Sequence, residues 1–283
     1  MWLNITRPCG ALSLACGLTL FLNACGTSPA VEQALSAPLT VPEAVQQTLL
    51  DQVEPTRAPR PVMSMASQET IDHRGNFGQL VIAKAAYRHS LTPQGLLDTL
   101  VQVDLKEGES TGGTENISLC GLVSILTSSG SSINATNSSV VPVGKLWLPA
   151  SFSHQIDLAH RGRITALNVK AGRLCAPLPG QTLAYTATFE SFYRQKGMFT
   201  MSGTRQSVQD VQCVVGPAPQ PASELGFEGQ YLPVRCEGKD ATSDKTWARE
   251  YAFLPNAQLY VLLTAKTDWQ SSTVKYSQVT YDR

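Results

Sequence analysis

Three stretches of this chain carry side chains whose types and spacing could do chemistry. The first, Gly108-Glu109-Ser110-Thr111-Gly112, has the Gly-x-Ser-x-Gly spacing of a nucleophile elbow. That device holds its serine on a strained turn between a buried strand and a helix. Here Lys106 and Glu107 separate the motif from the strand before it, and no alternating β/α pattern surrounds it. A polar hairpin turn accounts for the same residues. The second stretch is Ser153-His154-Gln155-Ile156-Asp157-Leu158-Ala159-His160. On a strand, His154 and His160 share one face with Ile156 and Leu158, and Asp157 faces the other way. Six residues at 3.3 Å each put the two imidazoles about 20 Å apart, too far to share a metal. His73 and His89 supply no obvious third ligand. The weak catalytic candidates are therefore Ser110, His154, Asp157 and His160, and neither a metal site nor a cofactor is expected. No phosphate-cradling loop, dinucleotide fingerprint or His-Glu-x-x-His run occurs.

The third group is the aromatics. Trp147, Trp247, Trp269, Tyr185, Tyr193, Tyr231, Tyr251, Tyr260, Tyr276 and Tyr281 recur across many short runs. Rigid rings with a polar tip suit glycan or protein surfaces, and they suit β cores equally well.

The N-terminus sets the compartment. Arg7 supplies a positive start, residues 11–22 are largely apolar, and Leu22-Asn23-Ala24-Cys25 follows. The apolar run is shorter than the roughly 20 residues a membrane-spanning helix takes. These residues resemble the lipobox of a bacterial lipoprotein signal peptide. That resemblance implies cleavage before Cys25, a lipidated Cys25, and a membrane anchor through its acyl chains. Gly26 follows where an inner-membrane lipoprotein would carry Asp, so the outer membrane is implied, with the domain facing the periplasm. More than one acyl chain gives stable anchoring, at about 0.8 kcal/mol per buried methylene.

Removing residues 1–24 leaves 259 residues and takes away only one charge, Arg7, so that 21 Lys and Arg face 22 Asp and Glu. A balance near zero gives no electrostatic case for nucleic acid, where a basic face is expected. Of seven cysteines, Cys9 and Cys16 leave with the signal and Cys25 is the anchor. Cys120, Cys175, Cys213 and Cys236 remain, an even set that reads as two disulfides in an oxidising compartment. Three connectivities are open. Cys213 with Cys236 closes a short loop through a Pro-rich connection, which leaves Cys120 with Cys175; each bridge would stabilise by roughly 2–4 kcal/mol. No Cys-x-x-Cys spacing supports zinc.

The elements that must position these residues fall into two textures. Residues 25–66 hold six prolines and no aromatic, which predicts a disordered, Pro-rich tether. Extended at about 3.1 Å per residue, it would reach tens of Å. Within it, 43–53 places Ala44, Val45, Thr48, Leu49 and Gln52 near one helical face, able to dock on the domain or a partner. Residues 67–283 form the β-rich domain. Strands are expected at 79–88, 97–105, 117–126, 140–148, 151–158, 163–170, 182–193, 198–202, 207–215, 230–236, 246–254, 258–267 and 273–281. Lys196-Gly197 reads as a hairpin turn, 128–139 as an exposed polar loop or long hairpin tip, and 216–229 as a loop or sub-boundary. Strands at this spacing without long helices predict an all-β, antiparallel sandwich or distorted barrel. The function expected is a non-catalytic binding or scaffolding lipoprotein whose partner is an envelope protein or glycan. The alternative is a periplasmic hydrolase with scattered catalytic residues.

Overall fold

The structure, a computed structural model, describes residues 29–53, 63–73, 79–92, 96–106, 110–143, 146–197 and 200–281. Two helices come first, α1 (Pro29–Ser36) and α2 (Glu43–Gln52). The strands are β1 (Met63–His73), β2 (Gln79–Leu91), β3 (Leu97–Lys106), β4 (Ser110–Leu119), β5 (Val123–Val143), β6 (Leu146–Ala171), β7 (Thr182–Lys196), β8 (Met201–Val215), β9 (Gln220–Pro221), β10 (Gln230–Asp240), β11 (Lys245–Leu254), β12 (Leu259–Thr267) and β13 (Gln270–Tyr281). A 3-10 turn, Ala222–Leu225, follows β9. Every pairing is antiparallel, and all but β9 join a single ring of twelve, because β10 pairs with β11 and closes the sheet. The two-residue β9 is an appendage on β10. The all-β expectation therefore resolves into a closed barrel. At about 4.8 Å between neighbours, twelve strands make a ring about 18 Å across before tilt widens it, more than side chains alone fill in an eight-stranded barrel.

Period-two alternation assigns each wall position. Leu183, Tyr185 and Ala187 of β7 pair with Cys213, Val211 and Gln209 of β8, and these face inward. Thr182, Gln212, Val214, Arg235, Glu237 and Lys239 face outward and are exposed. A lipid-facing wall would read the other way, apolar outside. Among the described residues no helix is long and apolar enough to cross a membrane.

One end of the barrel is packed solid. Leu119, Ile164, Leu174 and Leu183 are fully buried there with Val211, Val215 and Val234. The β11–β12 hairpin is buried on both faces. Tyr251, Phe253 and Tyr260 join the main cluster, while Ala252, Leu254, Leu259 and Val261 pack with Met65, Leu97 and Phe227. The hairpin crosses this end: Tyr260 N–H donates to Cys120 O at 2.8 Å, in the turn between β4 and β5 on the opposite side of the ring. Tyr260 Oη donates to Leu174 O at 2.7 Å. A disulfide joins Cys120 to Cys175, and a second joins Cys213 to Cys236 across β8 and β10. Gly121 in that turn has φ +82, and a Cβ there would stand 2.7 Å from Tyr260 O, so only glycine fits.

Several expectations are corrected. Part of the predicted tether is folded against the barrel. Val31 of α1 is buried, Glu32 pairs with Arg194, and the Arg161 guanidinium donates to Leu35 O at 3.2 Å. Val45 and Leu49 of α2 are buried in the main cluster, and Leu174 N–H donates to Gln52 Oε1 at 2.9 Å. The face read from 43–53 is the docked one. The sheet starts at Met63, ahead of the expected edge at 67. Residues 117–126 are not one strand: they are the end of β4 and the start of β5, joined by a turn at 120–122 that Cys120 enters at φ +56. Residues 128–139 are not a loop; they lie on β5, one arm of a long β5–β6 hairpin, and β6 is one strand of 26 residues where two were expected. Residues 216–229 connect two strands of the same ring, so they bound no second domain.

Candidate binding site in the barrel interior

The residues singled out for chemistry are not brought together. Ser110 opens β4 directly, opposite Ile133, so a strand rather than a helix follows the Gly-x-Ser-x-Gly motif. This removes the elbow reading, which needs the strand–turn–helix geometry. β6 is continuous from Leu146 to Ala171, so His154 and His160 stay six residues apart along one extended strand. The side chain of His154 lies outside the described residues. Asp157 faces away from His160, and its Oδ1 accepts from Ser132 Oγ at 2.9 Å. His160 faces inward between Tyr193 and Ser129. Burial lowers its pKa, so the neutral form is favoured. Among the described residues no three His, Cys, Asp or Glu side chains converge on a metal position. Cys25 lies outside the described residues, as do Glu107, Gly108 and Glu109.

The interior is divided. Next to the packed base the inward positions are apolar. Further along the same strands they become hydroxyl- and amide-bearing: Thr114 on β4, Ser129 and Ser131 on β5, Ser191 and Tyr193 on β7, Ser207 and Gln209 on β8. All of these are half-buried, keeping surface that solvent reaches. His89 and Thr99 sit on the opposite wall, joined by Nδ1 and Oγ1 at 2.9 Å. Burial lowers the His89 pKa to about 4.

Where the two zones meet stands Arg249. β11 alternates Trp247, Arg249 and Tyr251 inward, across from Gly238, Cys236 and Val234 of β10. Gly238 has a specific role here. A Cβ on it would stand 2.2 Å from the Trp247 ring, so the indole lies directly against the strand backbone. The Arg249 guanidinium lies over the indole, 4.5 Å from the ring centroid. This is cation–π distance. Arg249 Nη1 also donates weakly to Tyr251 Oη at 3.4 Å. Burial pushes the neighbouring Tyr185 hydroxyl well up, so it stays protonated.

A concavity of about 940 Å³ lies against β8, β10 and β11 and is lined in part by Trp247, Gly238 and Thr267 and by the outward Arg235, Glu237 and Lys239. Its outward charges largely satisfy one another. Lys170 pairs with Asp210, Arg235 with Glu237 and Lys239 with Asp244.

Sequence reasoning noted Trp247 and Tyr251 but missed Arg249. The signal was present: an arginine falls in the inward register of a strand, between two aromatics. No family model, curated protein or solved structure matches this chain.

Proposed function

We propose that this chain is a lipid-anchored binding module of the bacterial cell envelope, held in the outer membrane through Cys25 and facing the periplasm. Its role is to bind or scaffold an envelope protein or glycan. The lipobox-like Leu22-Asn23-Ala24-Cys25 supports the anchor, and Gly26 after it supports the outer membrane. Two disulfides fit an oxidising compartment. The observation that carries the binding reading is the divided interior: a base packed solid, and above it a wall of half-buried hydroxyls with a guanidinium at the boundary. A barrel stabilised by its base alone would have no need of polar, solvent-reachable side chains inside. Such side chains leave hydrogen-bonding groups available to a polar ligand.

Intact mass spectrometry of membrane-extracted protein tests the anchor. The expected species begins at Cys25, carries acyl chains and gains about four mass units on reduction, one per thiol hydrogen. An unlipidated chain overturns the localisation. Turnover on a hydrolase panel, lost in Ser110→Ala or His160→Ala, would replace the binding reading with the hydrolase one.

A further inference from the structure

We propose that the tip of the β5–β6 hairpin is a membrane-contacting element, and that its partner is the headgroup region of the phospholipid bilayer that carries the anchor. This rests on the reading of Cys25 as lipidated.

The hairpin outruns the ring. β4 pairs with β5 as far as Ser110 and Ile133, and β7 pairs with β6 as far as Lys196 and Asp157. β5 and β6 go on pairing with each other, from Asn134 with Gln155 to Val143 with Leu146. Among the described residues no other strand pairs with this stretch. At about 3.3 Å per residue, the β5 arm runs roughly 33 Å past its neighbours.

The composition of this ribbon changes along its length. Nearest the ring, residues 134–139 are Asn, Ala, Thr and Ser. At the far end residues 140–143 pair with 146–149, and every one of these is Val, Leu, Trp or Pro. Successive strand positions alternate between faces, so an unbroken apolar run places apolar residues on both. A two-stranded ribbon has no second layer to cover either face and is marginal in water on its own.

Direction selects lipid as the cover. Glu32 of α1 pairs with Arg194, which stands opposite Ala159 of β6, close to where the hairpin leaves the ring at Asp157. Leu35 O, further along α1, accepts from Arg161. Gln52, at the end of α2, accepts from Leu174 N–H, beyond the last residue of β6. The N-terminal segment therefore runs beside β6 from the hairpin end towards the base, and α1 begins at the end from which the hairpin projects. Cys25 is at most about 14 Å from Pro29. A bilayer that holds its acyl chains lies in the path of the ribbon.

Charge and backbone fit the same partner. No Asp or Glu occurs between Glu115 and Asp157, so no acidic side chain on the ribbon repels an anionic lipid surface. The open edges of the ribbon set the depth. Their backbone groups need water or headgroups, which hydrocarbon does not supply, so the tip rests among the headgroups and does not cross the core. Tryptophan is favoured at that level.

The test uses protein extracted from membranes and reconstituted in vesicles of phosphatidylethanolamine and phosphatidylglycerol, with or without acyl chains brominated near their headgroup end. Tryptophan emission is read, because bromine quenches a ring that it touches. Quenching is expected in the wild type. Trp147→Phe is expected to reduce it at least threefold, because Trp247 and Trp269 belong to the barrel. Val141→Glu with Leu146→Glu is expected to do the same. The acyl chains keep both variants on the vesicle, so the loss reads the hairpin and not the anchor. Near-UV circular dichroism identifies a double variant that has lost its fold, and Trp147→Phe then decides alone. Unquenched wild-type protein, or quenching that survives Trp147→Phe, overturns the proposal. So does a dimer in detergent that the double variant splits while vesicles quench nothing, since a second copy then covers the tip. A quenched protein whose mass shows no acyl chain supports the hairpin and overturns the anchor, so the two readings fail separately.

Discussion

The two halves of the barrel are built from the same strands and obey different rules. In the base, β7, β8 and β10 send Leu183, Val211, Cys213, Val215, Val234 and Cys236 inward, and all are buried. Both disulfides lie there, and the β11–β12 hairpin crosses to meet Cys120. A few residues further along, β7 and β8 send Ser191, Tyr193, Ser207 and Gln209 inward, and none is fully buried. The difference teaches that the largest apolar cluster and both disulfides are concentrated in the base, while polar inward positions are tolerated further along the same strands. Inward positions there are free to be chosen for what they contact rather than for what they pack.

That division can be broken or sharpened by measurement. The largest effect is expected at the base. Cys120→Ser with Cys175→Ser opens a loop of 55 residues, and chain entropy alone puts the loss at about 4 kcal/mol. Denaturant unfolding under non-reducing conditions checks it, and an unchanged midpoint would remove the base as the source of stability. Leu183→Ala leaves a cavity at a site with no exposed surface, with an expected cost of about 3 kcal/mol in the same assay.

His89 gives a pH signature. Its folded pKa is about 4 and its ordinary value 6.5. The unfolded chain therefore binds more protons between those limits, and stability falls as pH drops from 6.5 towards 4. The full window is worth up to about 3 kcal/mol. His89→Gln should flatten the wild-type slope there; two parallel stability–pH curves would show that another group carries it. Arg194→Ala removes the pair with Glu32 of α1, and a partly exposed pair of this kind contributes under about 1 kcal/mol. Its readout is faster proteolysis before Met63 with little change in midpoint. The smallest effect is expected in the upper wall. Ser129→Ala with Ser131→Ala should stay within about 0.5 kcal/mol. A loss of several kcal/mol there would erase the contrast between the halves.

Legibility in the sequence follows the same division. Where one face packs and the other meets water, alternation is clear, and 182–193, 246–254 and 258–267 lie on β7, β11 and β12. Residues 128–139 hold Ser, Asn, Thr and Gly with one Ile, so they offer no hydrophobic period to read, although they form much of β5. The turn at Cys120-Gly121 was hidden because apolar residues flank it on both sides. The disulfide pairing was reachable from spacing. Arg249 was reachable only by asking which charged residue falls in an inward register.

The docked helices also set a height. With the lipid on Cys25, as proposed, three residues separate the anchor from Pro29, and the four steps between them reach at most about 14 Å. From there α1 is fastened to β6 and β7 through Arg161 and Arg194. The protein then lies close against the bilayer with one flank turned towards it, in place of ranging freely on a long leash. Under that proposal, which way the barrel axis points relative to the membrane is decided by where two short helices are fastened to its side.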